Sequence, residues 1–291
     1  MFVQNLINAL SVGSVYALIA IGYNLVYGVL ELLNFAHGDV YALGCFVTFA
    51  GLMTGMNPFL AIALGLCAGF AINIVVERFA YRPVRFSGRI APTISAVGIA
   101  YIMRNVIQIV WGPETFAFDL GILQNQQIKI GNAVLGTLQI YILLIAVTCM
   151  VVISIFLKKT KWGQAIISIS QSIPTASLMG VPVNRAIAFI YGLGAVLGVI
   201  GGLLFCSYYG FIYFGIGFMY GTMKAWMSSI LGGVGSLKGC IIGALCLGMT
   251  EIMVAAYVST AYKDAIVWGL FIVFVLIKPK GLFPAQIAEK V

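Results

Sequence analysis

Long apolar runs without a charge constrain this chain more than any other feature. The stretch TLQIYILLIAVTCMVVISIFL, at 137–157, holds no ionisable acid or base. At 1.5 Å of rise per residue, about twenty residues cross the roughly 30 Å hydrocarbon layer of a bilayer. A transmembrane β-barrel would instead show alternating polarity over runs of about ten. Comparable spans read near 5–30, 36–54, 58–77, 91–111 and 185–209, with a broken apolar region at 219–257 and a last span at 264–278. Only 8% of the residues are charged, against about 25% in a soluble chain. That is too little polar surface to coat a particle in water. The expected fold class is all-α: a polytopic membrane helix bundle of about eight spans with broken or re-entrant helices, forming one transmembrane domain over 1–291.

The first residues, MFVQNLINAL, carry neither a basic segment nor a small-residue cleavage site, so no signal peptide is expected. Cys45, Cys67, Cys149, Cys206, Cys240 and Cys246 all fall in apolar stretches without metal-ligand spacing. They read as reduced, buried, small hydrophobes. No metal and no cofactor are expected.

The net charge of +8 is explained by placement and does not suggest nucleic-acid binding. Arg78, Arg82, Arg85 and Arg89 follow the third span, Lys158, Lys159 and Lys161 follow the fifth, and Lys278, Lys280 and Lys290 come near the end. Basic loops stay cytoplasmic, so these three clusters are inside and loop 112–136 is outside. The chain is then inside at 161 and again at 278, so 219–257 crosses twice or not at all. Two full spans and a turn do not fit its length. A pair of short or broken helices hinged at Gly232, Gly233 and Gly235 does. Such a region must be covered by protein or line a watery cavity. The N-terminus is outside if 36–54 crosses fully and inside if that segment is re-entrant.

Glycines recur every four residues at Gly194, Gly198 and Gly202, at Gly235, Gly239 and Gly243, and at Gly65 and Gly69. This spacing lines one helix face and lets backbones approach closely. No internal sequence repeat is evident, although the two glycine-rich breaks could be distant counterparts.

The motifs exclude several chemistries. There is no GxxxxGK[ST] phosphate loop, no GxSxG, and only one His. Carboxylates within or beside spans are few: Glu31, Asp39, Glu251 and Asp264. A proton- or ion-driven carrier usually relies on more. The segment NFAHGD puts Asn34, His37 and Asp39 at a helix break, with Gly38 supplying backbone freedom. One reading has Asn34 capping the next helix and Asp39 stabilised in its first turn. The other makes Asn34, His37, Gly38 and Asp39 a polar constriction on a translocation pathway, together with Lys224 and Glu251. At 158–184, KKTKWGQAIISISQSIPTASLMGVPVN suggests a helix beginning after Gly163, a kink or stop at Pro174 and a second short helix before Gly180 and Pro182. Two short cytoplasmic helices make a docking shape or an ordinary surface loop. The arginines of ERFAYRPVR, 77–85, read as topology signals or as anchors for membrane lipid headgroups.

Taken together, GSVYALIAIGYNLVYGVLELLNFAHGDVYALG (13–44), ERFAYRPVR (77–85), ASLMGV (176–181), GFMYGTMKAWMSSILGGVGSLKGCIIGALCLG (217–248) and AYKDAIVWGLFIVFVLIKPKGLF (261–283) resemble the branched-chain amino acid permeases of ATP-binding-cassette importers, the LivH-type subunit more than the LivM-type. The likeness covers nearly the whole chain. It implies a permease with no catalytic residues of its own in the bacterial inner membrane. The implied partners are a second, LivM-type permease subunit, two ATP-binding subunits on the cytoplasmic face and an extracytoplasmic substrate-binding protein. It also implies that Gly163, Gln164, Ser172, Pro174 and Gly180 belong to the ATPase docking region. This chain departs there: Gln164, Ile167 and Ser172 stand where family members usually carry Arg, Arg and an acidic residue. Branched-chain amino acids are the implied cargo. A carrier or channel for a small neutral solute, such as urea or a short amide, is the alternative.

Overall fold

The computed structural model describes residues 1–88, 90–122, 127–130 and 133–283. Arg89 and Lys290, two of the basic residues used to orient the chain, lie outside them. The architecture is all-α. In chain order the helices are α1 (Phe2–Leu30), α2 (His37–Met53), α3 (Pro58–Val76), α4 (Ile90–Trp111), α5 (Thr137–Lys159), α6 (Lys161–Gln171), α7 (Ile173–Leu178), α8 (Val183–Tyr209), α9 (Met223–Gly232), α10 (Leu237–Tyr257) and α11 (Lys263–Ile277). A π-helical turn, Glu77–Tyr81, extends α3, and another, Gly217–Thr222, leads into α9. Among the described residues, six helices are long and apolar enough to cross a membrane: α1, α3 with its π turn, α4, α5, α8 and α10. The passes by α2, α9 and α11 use shorter pieces.

α1 and α8 form the centre. Their apolar windows are 78% and 72% buried, against 17% for α4 and 22% for α5. The outer helices therefore turn apolar side chains such as Ile109, Val110, Leu144 and Val152 toward lipid. Close contact at the centre comes from glycine. A Cβ on Gly194 would stand 2.7 Å from the Gly22 carbonyl, and one on Gly248 would stand 2.6 Å from Gly13 Cα. Gly198 and Gly202 pack on Tyr41, Gly65 on Gly44 and Thr48, and Gly239 on Gly232. The four-residue spacing thus marks packing faces, as expected, except that Gly235 lies in the turn before α10 and not on its Gly239–Gly243 face.

The expectation of buried cysteines holds for Cys45, Cys206 and Cys240, but Cys67 and Cys246 are exposed. They sit on outward helix faces, where an apolar stretch meets lipid instead of a core.

Two hydrogen bonds settle where α1 begins. Gln4 Oε1 accepts from the Val134 backbone N–H at 2.7 Å, and Gln139 Nε2 donates to Asn8 Oδ1 at 2.8 Å. The first turns of α1 therefore lie beside the strand Ala133–Gly136 and the start of α5, on the side that the basic clusters predict to be outside. Loop 112–136 is not purely irregular: β2 (Gln127–Ile130) pairs with β3 (Ala133–Gly136), and β1 (Phe116–Ala117) pairs with β4 (Phe211–Ile212), both antiparallel. α1 runs inward, and residues 31–53 return outward as a non-helical limb, 31–36, followed by the 17-residue α2.

Region 219–257 takes the form of two passes, one of the two outcomes that parity allows. Only its first pass is short; α10 is a full 21-residue helix, which corrects the expected pair of short helices. The saving in length comes from starting the first pass deep in the membrane. The turn between them falls at the glycines where a hinge was expected. Gly233 and Gly235 have φ of 109° and 79°, a region that side chains with a Cβ rarely adopt. Gly232 is instead the last residue of α9, chosen for its contact with Gly239.

Candidate functional site

The central feature is a pair of half-helices that begin at mid-depth and run in opposite directions. α2 starts beside the middle of α1, where His37 Nε2 donates to the Ile19 carbonyl at 3.3 Å. From there it rises to the outer face. The π turn 217–222 packs against the same point and continues as α9 toward the cytoplasmic face. Non-helical chain fills the complementary halves: 31–36 below α2 and 213–215 above α9. Leu32, Asn34 and Ala36 in the lower limb are buried.

Backbone at this depth has no water to satisfy it. The solution is one hydroxyl. Thr222 Oγ1 accepts from the Gly38 N–H at 3.0 Å and donates to the Phe35 carbonyl at 3.2 Å. Thr222, on a distant segment, thus serves as the N-cap that α2 lacks among its own side chains. The expected cap, Asn34, does something else: its Oδ1 accepts from the Tyr81 hydroxyl at 2.7 Å. Gly38 also has a different reason from the one expected. It is an ordinary helical residue, but a Cβ there would collide with the Gly217 carbonyl and with Thr222 Oγ1. Gly217 is reciprocal, since its Cβ would collide with Gly38. The need is for space, not for freedom of φ.

His37 is fully buried between the rings of Tyr23 and Tyr41, at 6.0 and 6.4 Å. Donation from Nε2 fixes the neutral tautomer and leaves Nδ1 as an acceptor without a partner among the described residues, as is Asn34 Nδ2.

Asp39 sits in the first turn of α2, as expected, where the helix dipole favours an anion. Its carboxylate accepts two bonds from Arg104, at 3.2 Å from Nε and 3.1 Å from Nη2. The guanidinium also lies 4.7 Å above the Phe218 ring and 5.5 Å from that of Tyr101. Sequence reasoning missed Arg104. The signal was present, because a single cation inside the span 91–111 needs an intramembrane carboxylate, and Asp39 was one of few.

Lys224 and Glu251 meet each other but not the residues of NFAHGD. Glu251 Oε2 accepts from Lys224 at 2.9 Å and from the Tyr16 hydroxyl at 3.1 Å, while Oε1 accepts from Lys263 at 2.7 Å. Lys224 reaches Asp264 at 3.5 Å. This cluster joins α1, α9, α10 and α11. Thr222, two residues before Lys224, and α1, which carries both Tyr16 and Ile19, connect it to the break. At the inner end of α3, the buried Glu77 binds Arg82 and Arg85, each at 2.8 Å. Those two arginines thus have a structural partner beyond topology or lipid anchoring.

On the cytoplasmic face, α6 begins at Lys161, capped by Thr160, whose Oγ1 accepts from the Gly163 N–H at 3.0 Å. Gly163 lies inside the first turn instead of preceding the helix, because a Cβ there would collide with the end of α5. Ser172 caps α7, Pro174 occupies its first turn, and Gly180 turns the chain with φ 79°. Gln164 is exposed, as are Leu178 and Met179, at 88% and 80%.

Comparison with known proteins agrees with this architecture. The family model for the permease component of the branched-chain amino acid transport system matches residues 5–276. The chain is 37% identical to the high-affinity branched-chain amino acid transport system permease protein LivH of Escherichia coli K12, covering 100% of this chain and 98% of that one. It is 33% identical to the permease protein BraD of Pseudomonas aeruginosa with the same coverage. Among solved structures, PsaBC from Streptococcus pneumoniae in complex with Fab shares the fold, with a TM-score of 0.51 at 16% identity, over 94% of this chain and 91% of that one.

Proposed function

Because this chain belongs to the branched-chain amino acid permease family of ATP-binding-cassette importers, we propose that its head-to-head half-helices form one wall of the membrane pathway for branched-chain or other small neutral amino acids. It is a multi-pass protein of the bacterial inner membrane, and a permease of this type works with partner subunits. The observation that carries the reading is the seam of Gly38, Gly217 and Thr222. Discontinuous helices meeting at the midplane are the device by which membrane transporters expose polar backbone and helix dipoles to a solute.

In this reading Asn34, His37, Gly38 and Asp39 shape the pathway from one half-helix, while Lys224 and Glu251 brace the other. The hinge at Gly232, Gly233 and Gly235 lets α9 move against α10. A second, LivM-type permease subunit completes the pathway, and an extracytoplasmic binding protein delivers cargo. Two ATP-binding subunits dock on α6 and α7, around Gly163, Gln164, Ser172, Pro174 and Gly180. ATP binding closes that pair and shifts the docked helices, so the pathway opens alternately to each side. Such a shift requires different contacts in the two states. An ion-driven carrier is less well supported, since Asp39 and Glu251 are each held by cations from the same chain.

The test is reconstitution of the two permease and two ATP-binding subunits in proteoliposomes, with the binding protein added on the outer side. Leucine uptake should require ATP and this chain. Uptake that persists when the ATP-binding subunits are catalytically disabled would refute the assignment.

A further inference from the structure

The Asp39–Arg104 pair is unusual in depth, exposure and chemistry. Asp39 is fourteen residues from the outer end of α2, or about 21 Å along its axis. Arg104 is seven residues from the outer end of α4, about 10 Å. An arginine at that depth facing lipid would reach outward toward the headgroups. Arg104 instead turns two nitrogens toward Asp39.

The carboxylate is wholly buried and the arginine side chain covers it, itself 20% exposed. Around it α4 shows Tyr101, 59% exposed, and an exposed Asn105. Polar groups at membrane depth are tolerated against protein or a watery cavity, not against lipid. Arg104 and Asp39 therefore face protein or a watery cavity, at the edge of α4 that adjoins α2, and not the lipid-facing stripe of Ile109 and Val110.

Guanidinium carries five N–H donors, and Asp39 takes two of them. Three remain, in the planar fork that fits a carboxylate. The Phe218 ring under the guanidinium and the Tyr101 ring beside it form an apolar floor.

We propose that Arg104 and Asp39 are the head-group subsite for a zwitterionic amino acid, with Arg104 taking the α-carboxylate and Asp39 the ammonium group. This rests on the transport reading above and adds how the cargo is recognised. Arg104 covers Asp39, so the cargo carboxylate first draws the guanidinium aside, and the ammonium group then reaches Asp39. The aliphatic side chain lies on Phe218 and Tyr101. Charge is balanced throughout. The resting pair is neutral and a zwitterion adds no net charge, so one ion pair becomes two without an unpaired charge in a medium where that is costly. Urea or a short amide would break the resting pair and replace neither partner. The same pair therefore selects amino acids over neutral solutes.

The experiment uses the permease–ATPase complex in nanodiscs, with radiolabelled leucine and leucinamide measured by equilibrium dialysis, and ATP-driven leucine uptake in proteoliposomes. Arg104→Lys keeps the charge opposite Asp39 but loses the fork. The double variant Asp39→Asn/Arg104→Gln keeps a hydrogen-bonded neutral pair. Recovery of each variant in complex at wild-type stoichiometry controls for folding. The expected results are leucine affinity and KM for uptake weakened at least about tenfold in Arg104→Lys, and loss in the double variant of the wild-type preference for leucine over leucinamide. Assembled variants with wild-type affinity, KM and preference would overturn the proposal while leaving the transport reading intact. Failure of the wild-type complex to move leucine with ATP would overturn both.

Discussion

The Tyr81 hydroxyl donates to Asn34 Oδ1 at 2.7 Å across 47 residues of chain. It ties the π turn at the cytoplasmic end of α3 to the limb that leads up to α2. π turns cluster at functional sites because they widen a helix locally and re-aim its side chains. Here the turn brings a tyrosine to a segment that has no helical ladder of its own. Tyr81→Phe should leave the amide oxygen unpaired in a dry interior, at about 1–3 kcal/mol. The expected outcome is a lowered melting temperature of the purified complex and a larger fractional loss of uptake rate than of assembled protein.

Thr222 gives a sharper pair of substitutions. Thr222→Val keeps the shape but removes both bonds of the hydroxyl, to the Gly38 N–H and the Phe35 carbonyl. Thr222→Ser keeps both. Valine should cost about 1–3 kcal/mol and serine much less, measured as the shift in unfolding midpoint in detergent. Equal midpoints for the two variants would show that the hydroxyl does not cap α2.

Gly38→Ala should prevent assembly, because backbone oxygen and a capping hydroxyl both stand where the methyl group would go. Gly98→Ala is the control. It lies on the outward face of α4 with open space around its Cβ direction, and alanine favours a helix by about 1 kcal/mol over glycine. Expression and monodispersity on size exclusion separate the two.

Glu251→Gln should be among the most damaging single changes. It leaves Lys224, with only 5% of its side chain exposed, without its nearest countercharge. Breaking a buried pair from one side costs about 3–5 kcal/mol. Combining it with Lys224→Met removes the stranded charge and should restore assembly. Uptake measured on that rescued protein then tells a structural brace from a pathway role: recovery of transport with assembly means a brace.

At the cytoplasmic face, Leu178→Ser with Met179→Ser should weaken binding of the ATP-binding subunits, since these two side chains stand almost free at the end of α7. Gln164→Arg, on the exposed side of α6, should change that affinity measurably, by a factor set by a surface ion pair of up to about 1 kcal/mol. Titration of purified subunits by interferometry checks both. Unchanged affinity in all these variants would place the docking surface elsewhere.

Much of this architecture was legible in the chain, for a simple reason. Lipid imposes length and polarity on every span, so apolar runs, basic clusters and the glycine turn at Gly233 and Gly235 could be read directly. What the chain concealed is long-range. Nothing local in NFAHGD says that its cap is Thr222, 184 residues away, or that Asn34 would be taken by Tyr81. Gly38 looked like a flexible joint because sequence reports a missing side chain but not the neighbour that requires its absence. Arg104 was readable in principle, as a lone cation seeking its carboxylate. The span limits of α6 and the depth at which α9 begins depended on close packing that no periodicity encodes.

The seam between Gly38 and Gly217 has a mechanical consequence. Two backbones that touch without intervening side chains leave nothing to compress, and a shared hydroxyl fastens the join. An inner arm and an outer arm therefore hang from a single pivot. If partner subunits pull the cytoplasmic side as proposed, the outer arm is expected to swing with it, so that geometry instead of a separate lock would prevent a leak through both ends at once.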